Sequence, residues 1–150
     1  MMTSIFDKFN LQSRTAIVTG GAGLLGAGFC RTLAQVGASV LVADGNLAKA
    51  QTVADEIGAY GKARAQEVDV TRPESVRAMA AAAKEAFGSL DILVCSAALD
   101  PKFDPYLGGN YDEGFENYPL EKWQQALDVN LTGVFLSAQA AAPLMLAQSG

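Results

Sequence analysis

The sequence predicts an α/β domain built on a doubly wound parallel sheet, with four strands in the spatial order 3-2-1-4. Three observations lead there. Short apolar runs rich in β-branched residues alternate with amphipathic stretches at helical spacing, three times over. The runs are almost continuously apolar, as strands become when both faces of a sheet are covered. The connections are short, and strand–helix–strand units of this kind close by right-handed crossovers into a parallel sheet.

The first strand is predicted over 14–19, where Ala16, Ile17 and Val18 form an apolar run closed by Thr19. Gly20, Gly21, Gly23, Gly26 and Gly28 follow, and then Phe29, Leu33, Ala34 and Val36 recur at helical spacing up to Gly37. A second strand over 39–43 ends at Asp44. Asn46 is suited to cap a helix through Leu47, Ala50, Val53, Ala54 and Ile57 that Gly58 stops. The third strand, 62–69, is polar at first and closes in Val68-Asp69-Val70. Thr71 or Arg72 then caps a helix with Pro73 and Glu74 in its first turn. Val76, Met79, Ala80, Ala83 and Phe87 give that helix an apolar stripe, and Gly88 ends it. The fourth strand is predicted over 90–95.

Residues 99–119 interrupt the rhythm with three prolines, three glycines and five aromatics. A stretch this long between elements is a functional loop or disordered, and its aromatics favour a compact lid or a partner surface. From Leu120 to Leu146 a long helix is predicted, with Trp123, Leu127, Leu131, Val134, Phe135 and Ala138 on related faces. Pro143 should kink it or end its regular part.

The 150 residues make one domain, 1–150, able to bury roughly two-thirds of its unfolded surface. Half of the residues are hydrophobic and 18% are charged, a low share for a solvated monomer. A net charge of −5 with no basic stripe argues against nucleic-acid binding. No apolar run approaches the length of a membrane span. The segment from Met1 to Asn10 has no apolar signal core. The chain has no histidine, and its two cysteines, Cys30 and Cys95, have no metal-ligand spacing. No metal site is expected, nor a nucleophile activated by histidine. The two thiols read as reduced cytoplasmic residues packed in the interior.

The stretch 14–30 carries the chemistry. A glycine turn between a buried strand and a helix lets backbone approach a pyrophosphate, because no Cβ stands in the way. The helix start adds unpaired N–H groups and a partial positive charge. Gly21, Gly23 and Gly26 fit G-x-G-x-x-G, the dinucleotide fingerprint, although any tight strand-to-helix turn favours glycine. Asp44 lies 24 residues after Gly20, at the end of the second strand. A carboxylate there can accept both ribose hydroxyls of an adenosine half, and it would repel a 2′-phosphate, which no arginine follows to bind. That favours NAD over NADP.

The order of these motifs resembles the short-chain dehydrogenase/reductase family, single-domain oxidoreductases of Rossmann fold. Thr19 to Gly26, T-G-G-A-G-L-L-G, is similar to the family's glycine motif. Leu24 stands where the commonest version has its middle glycine, and Gly20, Gly23 and Gly26 instead fit the T-G-x-x-G-x-x-G version. The resemblance implies a cofactor site formed by Thr19, Gly20, Gly21, Gly23, Leu25, Gly26 and Asp44. It extends to Asp69 and Val70, similar to the family's adenine-site pair. Cys95-Ser96-Ala97-Ala98 aligns with the family's N-N-A-G and keeps only the alanine, with Cys95 and Ala97 implied beside the adenosine ribose. Asp128-Val129-Asn130-Leu131-Thr132-Gly133 is the most specific match after the glycine turn, and it implies that Asn130 is the catalytic asparagine. An asparagine and a glycine each cost helix propensity, so a helix that keeps both has a reason.

The family's tyrosine, the lysine four residues beyond it, and its serine do not follow Asn130 before Gly150. Tyr118 and Lys122 satisfy Y-x-x-x-K, but they precede the asparagine helix with Pro119 inside the motif, which reads as coincidence. Two hypotheses stand. In one, this is the N-terminal part of an NAD-dependent enzyme interconverting a small-molecule alcohol and carbonyl, inactive by itself and a homo-oligomer when full length. In the other it is a non-catalytic NAD-binding sensor or assembly module. The resemblance also implies that further strands pair with the fourth strand, and that the outer face of the long helix packs against a second subunit.

Overall fold

The computed structural model describes residues 8–100 and 115–148. Most of the expected lid, 101–114, lies outside them. Four strands form one parallel sheet: β1 (Thr15–Thr19), β2 (Ser39–Asp44), β3 (Lys62–Glu67) and β4 (Ile92–Cys95), in the order β3-β2-β1-β4. The order is the one expected. The register aligns Ile17 with Leu41 and Leu93, and Val18 with Val42 and Val94.

Strand alternation divides the core in two. Ile17 and Leu41 face one side with Val76, Met79, Ala80 and Ala83 of α3 (Pro73–Phe87). Val18, Val40 and Val42 face the other, against α1 (Leu24–Gln35) and α2 (Leu47–Gly58), which contribute Cys30, Ala34, Ala50, Val53 and Ile57. Asn46 caps α2 by accepting the Lys49 N–H at 3.0 Å, as its position predicted. Arg72 is the residue before α3, Pro73 opens it, and Gly88 ends it in a left-handed conformation (φ +85°).

The third strand ends two residues early, at Glu67. One further ladder bond follows, from Val68 N–H to the Asp44 carbonyl at 3.0 Å. The fourth begins two residues late: the Leu90 backbone bonds the Gln148 side chain, and Asp91 makes one bond to β1, from its N–H to the Thr15 carbonyl at 2.9 Å. The predicted helix 120–146 is real but not uniform. It runs as α4 (Leu120–Leu127), a widened turn (Asp128–Thr132) and α5 (Gly133–Leu146). In the widened turn the Gly133 N–H reaches back five residues to the Asp128 carbonyl. Pro143 does not end the helix, which continues to Leu146.

Two further expectations need correction. Cys30 is buried, but Cys95 is exposed, because among the described residues β4 has β1 as its only strand neighbour. The helix Leu120–Leu146, at 27 residues and with a mean hydropathy of 1.4 over its best window, is long and apolar enough by length and composition to cross a membrane. The expectation counted uninterrupted apolar runs and so missed it. In this fold Gly133, Ser137 and Ala141 of that helix are buried against the domain.

Candidate nucleotide-binding site

At the carboxyl ends of the strands a cleft of about 560 Å³ opens between the β1–α1 turn and the segment after β4. Gly20, Gly23, Asp44, Gly45, Glu67, Val68, Asp69, Val70, Ser96, Ala97, Ala98 and Val129 line it. β1 and β4 are adjacent although two strands separate them in sequence, so the cleft lies where the winding of the sheet reverses. Open α/β sheets place ligands at that point.

The floor is the glycine turn. Gly20 has φ +64°, and a Cβ there would lie 2.7 Å from Ala97 Cα and from the Ser96 carbonyl. Only glycine lets the turn pass this close to the segment after β4. Gly26, in the first turns of α1, abuts the Gly20 carbonyl so closely that any Cβ would collide with backbone. The turn is tied down by Gly21 N–H to the Ala43 carbonyl and Gly23 N–H to the Gly20 carbonyl, both 3.0 Å. Leu24 is 94% exposed, so its side chain clears the turn although the family's common motif has glycine there. Cys30 closes the turn from behind, its thiol donating to the Gly21 carbonyl. Burial pushes that thiol up to about 12, which keeps it neutral.

Asp44 does more than face the cleft. Its Oδ2 accepts the Ala22 N–H at 3.0 Å and its Oδ1 accepts the Asn46 N–H at 2.9 Å. The carboxylate therefore bridges the glycine turn to the β2–α2 loop. Each oxygen has lone-pair capacity for a further donor. Asp69 accepts both the N–H and the hydroxyl of Thr71 on Oδ1, at 2.9 and 2.7 Å, which shapes the turn into α3. On the far wall, Thr19 Oγ1 accepts the Ala97 N–H at 3.3 Å and the Thr19 carbonyl accepts the Ser96 N–H at 3.1 Å.

Of the residues expected at the site, Gly20, Gly23, Asp44, Asp69, Val70 and Ala97 meet in the cleft. Thr19, Gly21 and Gly26 shape it from behind. Leu25, 69% exposed on α1, and Cys95 are not among its lining residues. Asn130 is next to Val129 of the lining and bonds the segment after β4. Its Oδ1 accepts the Leu99 N–H at 2.7 Å and its Nδ2 donates to the Leu99 carbonyl at 2.9 Å. Gly133 has an equally specific use, since a Cβ there would lie 2.7 Å from Val70 Cγ2. The costly asparagine and glycine of this helix thus hold a strand end and a cleft residue. Tyr118 precedes α4, Lys122 lies within it, and neither lines the cleft.

Sequence reasoning missed Gly45, Glu67, Val68, Ser96, Ala98 and Val129 as lining residues, although Ser96, Ala98 and Val129 stand inside the quoted motifs and Gly45 and Val68 stand beside Asp44 and Asp69. It also missed Asp91. That carboxylate accepts from Thr15 N–H (2.9 Å), Ser89 Oγ (2.7 Å) and Arg14 (2.8 Å), joining the start of β4 to β1. Partial burial works against its charge, but these three donors hold the carboxyl below the usual aspartate range.

The model of the family described as short chain dehydrogenase matches residues 14–150. The chain belongs to the short-chain dehydrogenase family. A short-chain dehydrogenase/reductase, astE, of Aspergillus oryzae is 37% identical over 99% of this chain and 54% of its own length. Cyclohexanol dehydrogenase of an Acinetobacter strain is 34% identical over 96% of this chain and 53% of its own length. The crystal structure of a short-chain type dehydrogenase/reductase from Mycobacterium marinum superposes with a TM-score of 0.86 at 37% identity, covering 97% of this chain and 56% of that one. A hydroxysteroid dehydrogenase from Escherichia coli gives 0.81 at 32% identity, over 96% and 57%. The chain spans about half the length of the curated relatives it matches.

Proposed function

We propose that this short-chain dehydrogenase chain is the dinucleotide-binding part of an NAD-dependent oxidoreductase that interconverts an alcohol and a carbonyl by hydride transfer. The carrying observation is Asp44, a carboxylate joined to the phosphate-binding turn and presented at the rim of the cleft. The Gly20 and Gly26 contacts make glycine necessary to the packing of the turn, and the fit of a dinucleotide is supported by that turn leading from the cleft into the start of α1. Gly20, Gly21 and Gly23 would hold the pyrophosphate, with Leu25 and Gly26 supporting it. Asp44 would accept the adenosine ribose hydroxyls. Asp69 and Val70 would bound the adenine, and Ala97 the ribose edge, with Cys95 behind it at the end of β4. The bound nicotinamide supplies the hydride-accepting chemistry. Asn130 would serve the proton path through its backbone while its side chain fixes Leu99.

The cleft contains no tyrosine or lysine among its lining residues. In this reading the proton-transfer groups come from the rest of the full-length protein, and this chain by itself binds without turnover. General acid/base help is worth ~10²–10⁴-fold, so its loss leaves no measurable activity. The same observation favours a second reading, a non-catalytic NAD-binding module. Trp123, Leu131 and Phe135, each more than half exposed, would form the contact face of a homo-oligomer.

The test is calorimetric titration of this chain with NAD and NADP, for wild type, Asp44→Ala and Asp44→Asn. NAD should bind more tightly than NADP, and the preference should narrow about tenfold or more in Asp44→Ala, since a hydrogen bond to a charged group contributes ~1.5–3 kcal/mol. Equal affinities for both dinucleotides in the wild type would reject the assignment. Turnover of the full-length protein with a panel of alcohols separates enzyme from module.

A further inference from the structure

Asn130 is not the only amide that ties the long helix to the segments flanking β4. At the other end, Gln148 Oε1 accepts the Leu90 N–H at 2.9 Å and Gln148 Nε2 donates to the Leu90 carbonyl at 2.9 Å. Lys84 Nζ, from the last turn of α3, donates to the same Oε1 at 3.1 Å. Both amides imitate a neighbouring strand, each satisfying the N–H and C=O of one residue. Those residues flank β4: Leu90 precedes it and Leu99 follows it.

Their placement makes the pair one device. Asn130 lies in the widened turn and Gln148 in the turn just past Leu146, so the two amides stand at the two ends of α5. Leu90 and Leu99 lie on either side of the four residues of β4. Between the amides α5 buries Gly133, Ser137 and Ala141, small residues that let the helix lie close. Such a face resists sideways motion by packing but permits sliding along its axis. The polar ends resist that sliding.

We infer that Gln148 is a positioning residue for Asn130: by anchoring the far end of the helix to Leu90, it sets the axial register at which Asn130 holds Leu99 and the cleft wall Ser96–Ala98. The inference rests on the proposed role of Asn130 but is tested without catalysis. Leu90 is fully buried, so its backbone groups depend on this amide. The coupling acts in both directions, as linkage requires.

The experiment is amide hydrogen exchange by NMR on the 150-residue chain, reading Leu90, Leu99 and the core reporter Leu41. In Gln148→Ala, exchange at Leu90 and at Leu99 should both accelerate about tenfold relative to Leu41, the effect of one lost hydrogen bond on a local opening. Asn130→Ala should accelerate Leu90 in return. Acceleration at Leu90 with Leu99 unchanged relative to Leu41 would overturn the inference, leaving Gln148 a local tie. Should Gln148→Ala fail to fold, Gln148→Glu keeps the acceptor for Leu90 N–H and Lys84, removes the donor and sets a carboxylate oxygen against the Leu90 carbonyl. The same two-site criterion then applies. Adding NAD separates the readings: exchange coupling without any NAD effect upholds the strap and rejects the nucleotide assignment.

Discussion

Strand β2 reads S-V-L-V-A-D and β4 reads I-L-V-C, yet Val40 to Ala43 have no exposed surface while no residue of β4 is buried. Composition does not separate them. β2 has β1 and β3 as neighbours and helices over both faces, so its side chains interdigitate with two layers. Among the described residues β4 has β1 alone as a strand neighbour; it pairs with β1 along Ile92–Cys95, packs Leu93 and Val94 against the core, and has polar ties at its ends. Asp91 fastens it to β1 at one end, with Gln148 on Leu90; Thr19 and Asn130 fasten the other. The closed part of this domain is stabilised by area removed from water on both faces. The open part buries less and adds a few directed bonds.

The largest test of this contrast truncates equivalent leucines. Leu41→Ala should cost ~3–4 kcal/mol, since its cavity cannot collapse between two packed layers. Leu93→Ala, at the register-equivalent position on the open side, should cost ~1 kcal/mol, because only part of its surface is buried and the site can relax. Urea midpoints at pH 7 measure both, and equal losses would erase the distinction between the two strands.

Asp91→Asn should destabilise the chain by ~1.5–3 kcal/mol at neutral pH, the usual cost of weakening hydrogen bonds to a charged carboxylate. The folded carboxyl titrates below its unfolded value of ~3.9. Its contribution is therefore complete above that value and is lost as pH falls through it towards the lower folded one. Wild type should lose its advantage over Asp91→Asn between about pH 5 and the folded pKa, read from urea midpoints down to pH 3. A constant gap across that range would mean that Asp91 acts through packing and not charge.

The smallest expected effect lies on α1. Gly28 is helical, exposed and has open space where a Cβ would go, unlike Gly26 two residues earlier. Gly28→Ala should raise stability by ~0.5–1 kcal/mol, whereas Gly26→Ala should lower it. A thermal melt of the two variants suffices, and a destabilised Gly28→Ala would show that this face is less open than it stands here.

What the sequence determined by itself was whatever repeats at a local period. Alternation and 3.6-residue spacing placed the strands and helices, Asn46 and Gly88 marked helix ends, and the glycine turn with Asp44 announced the cleft. Element ends slipped by up to two residues where backbone groups found other partners, as at Glu67 and Leu90. The reasons for Asn130 and Gly133 were invisible, although their cost to the helix was not. Leu99 is 31 residues from Asn130 and Leu90 is 58 from Gln148, and no local pattern records such pairings. Tertiary structure alone decided that Cys95 is exposed while Cys30 is sealed, that Asp44 braces the turn it faces, and that one apolar strand is enclosed and another open. The physical reason is common to all of these: burial and side-chain hydrogen bonding depend on which segments become neighbours, and neighbours are set by the fold as a whole.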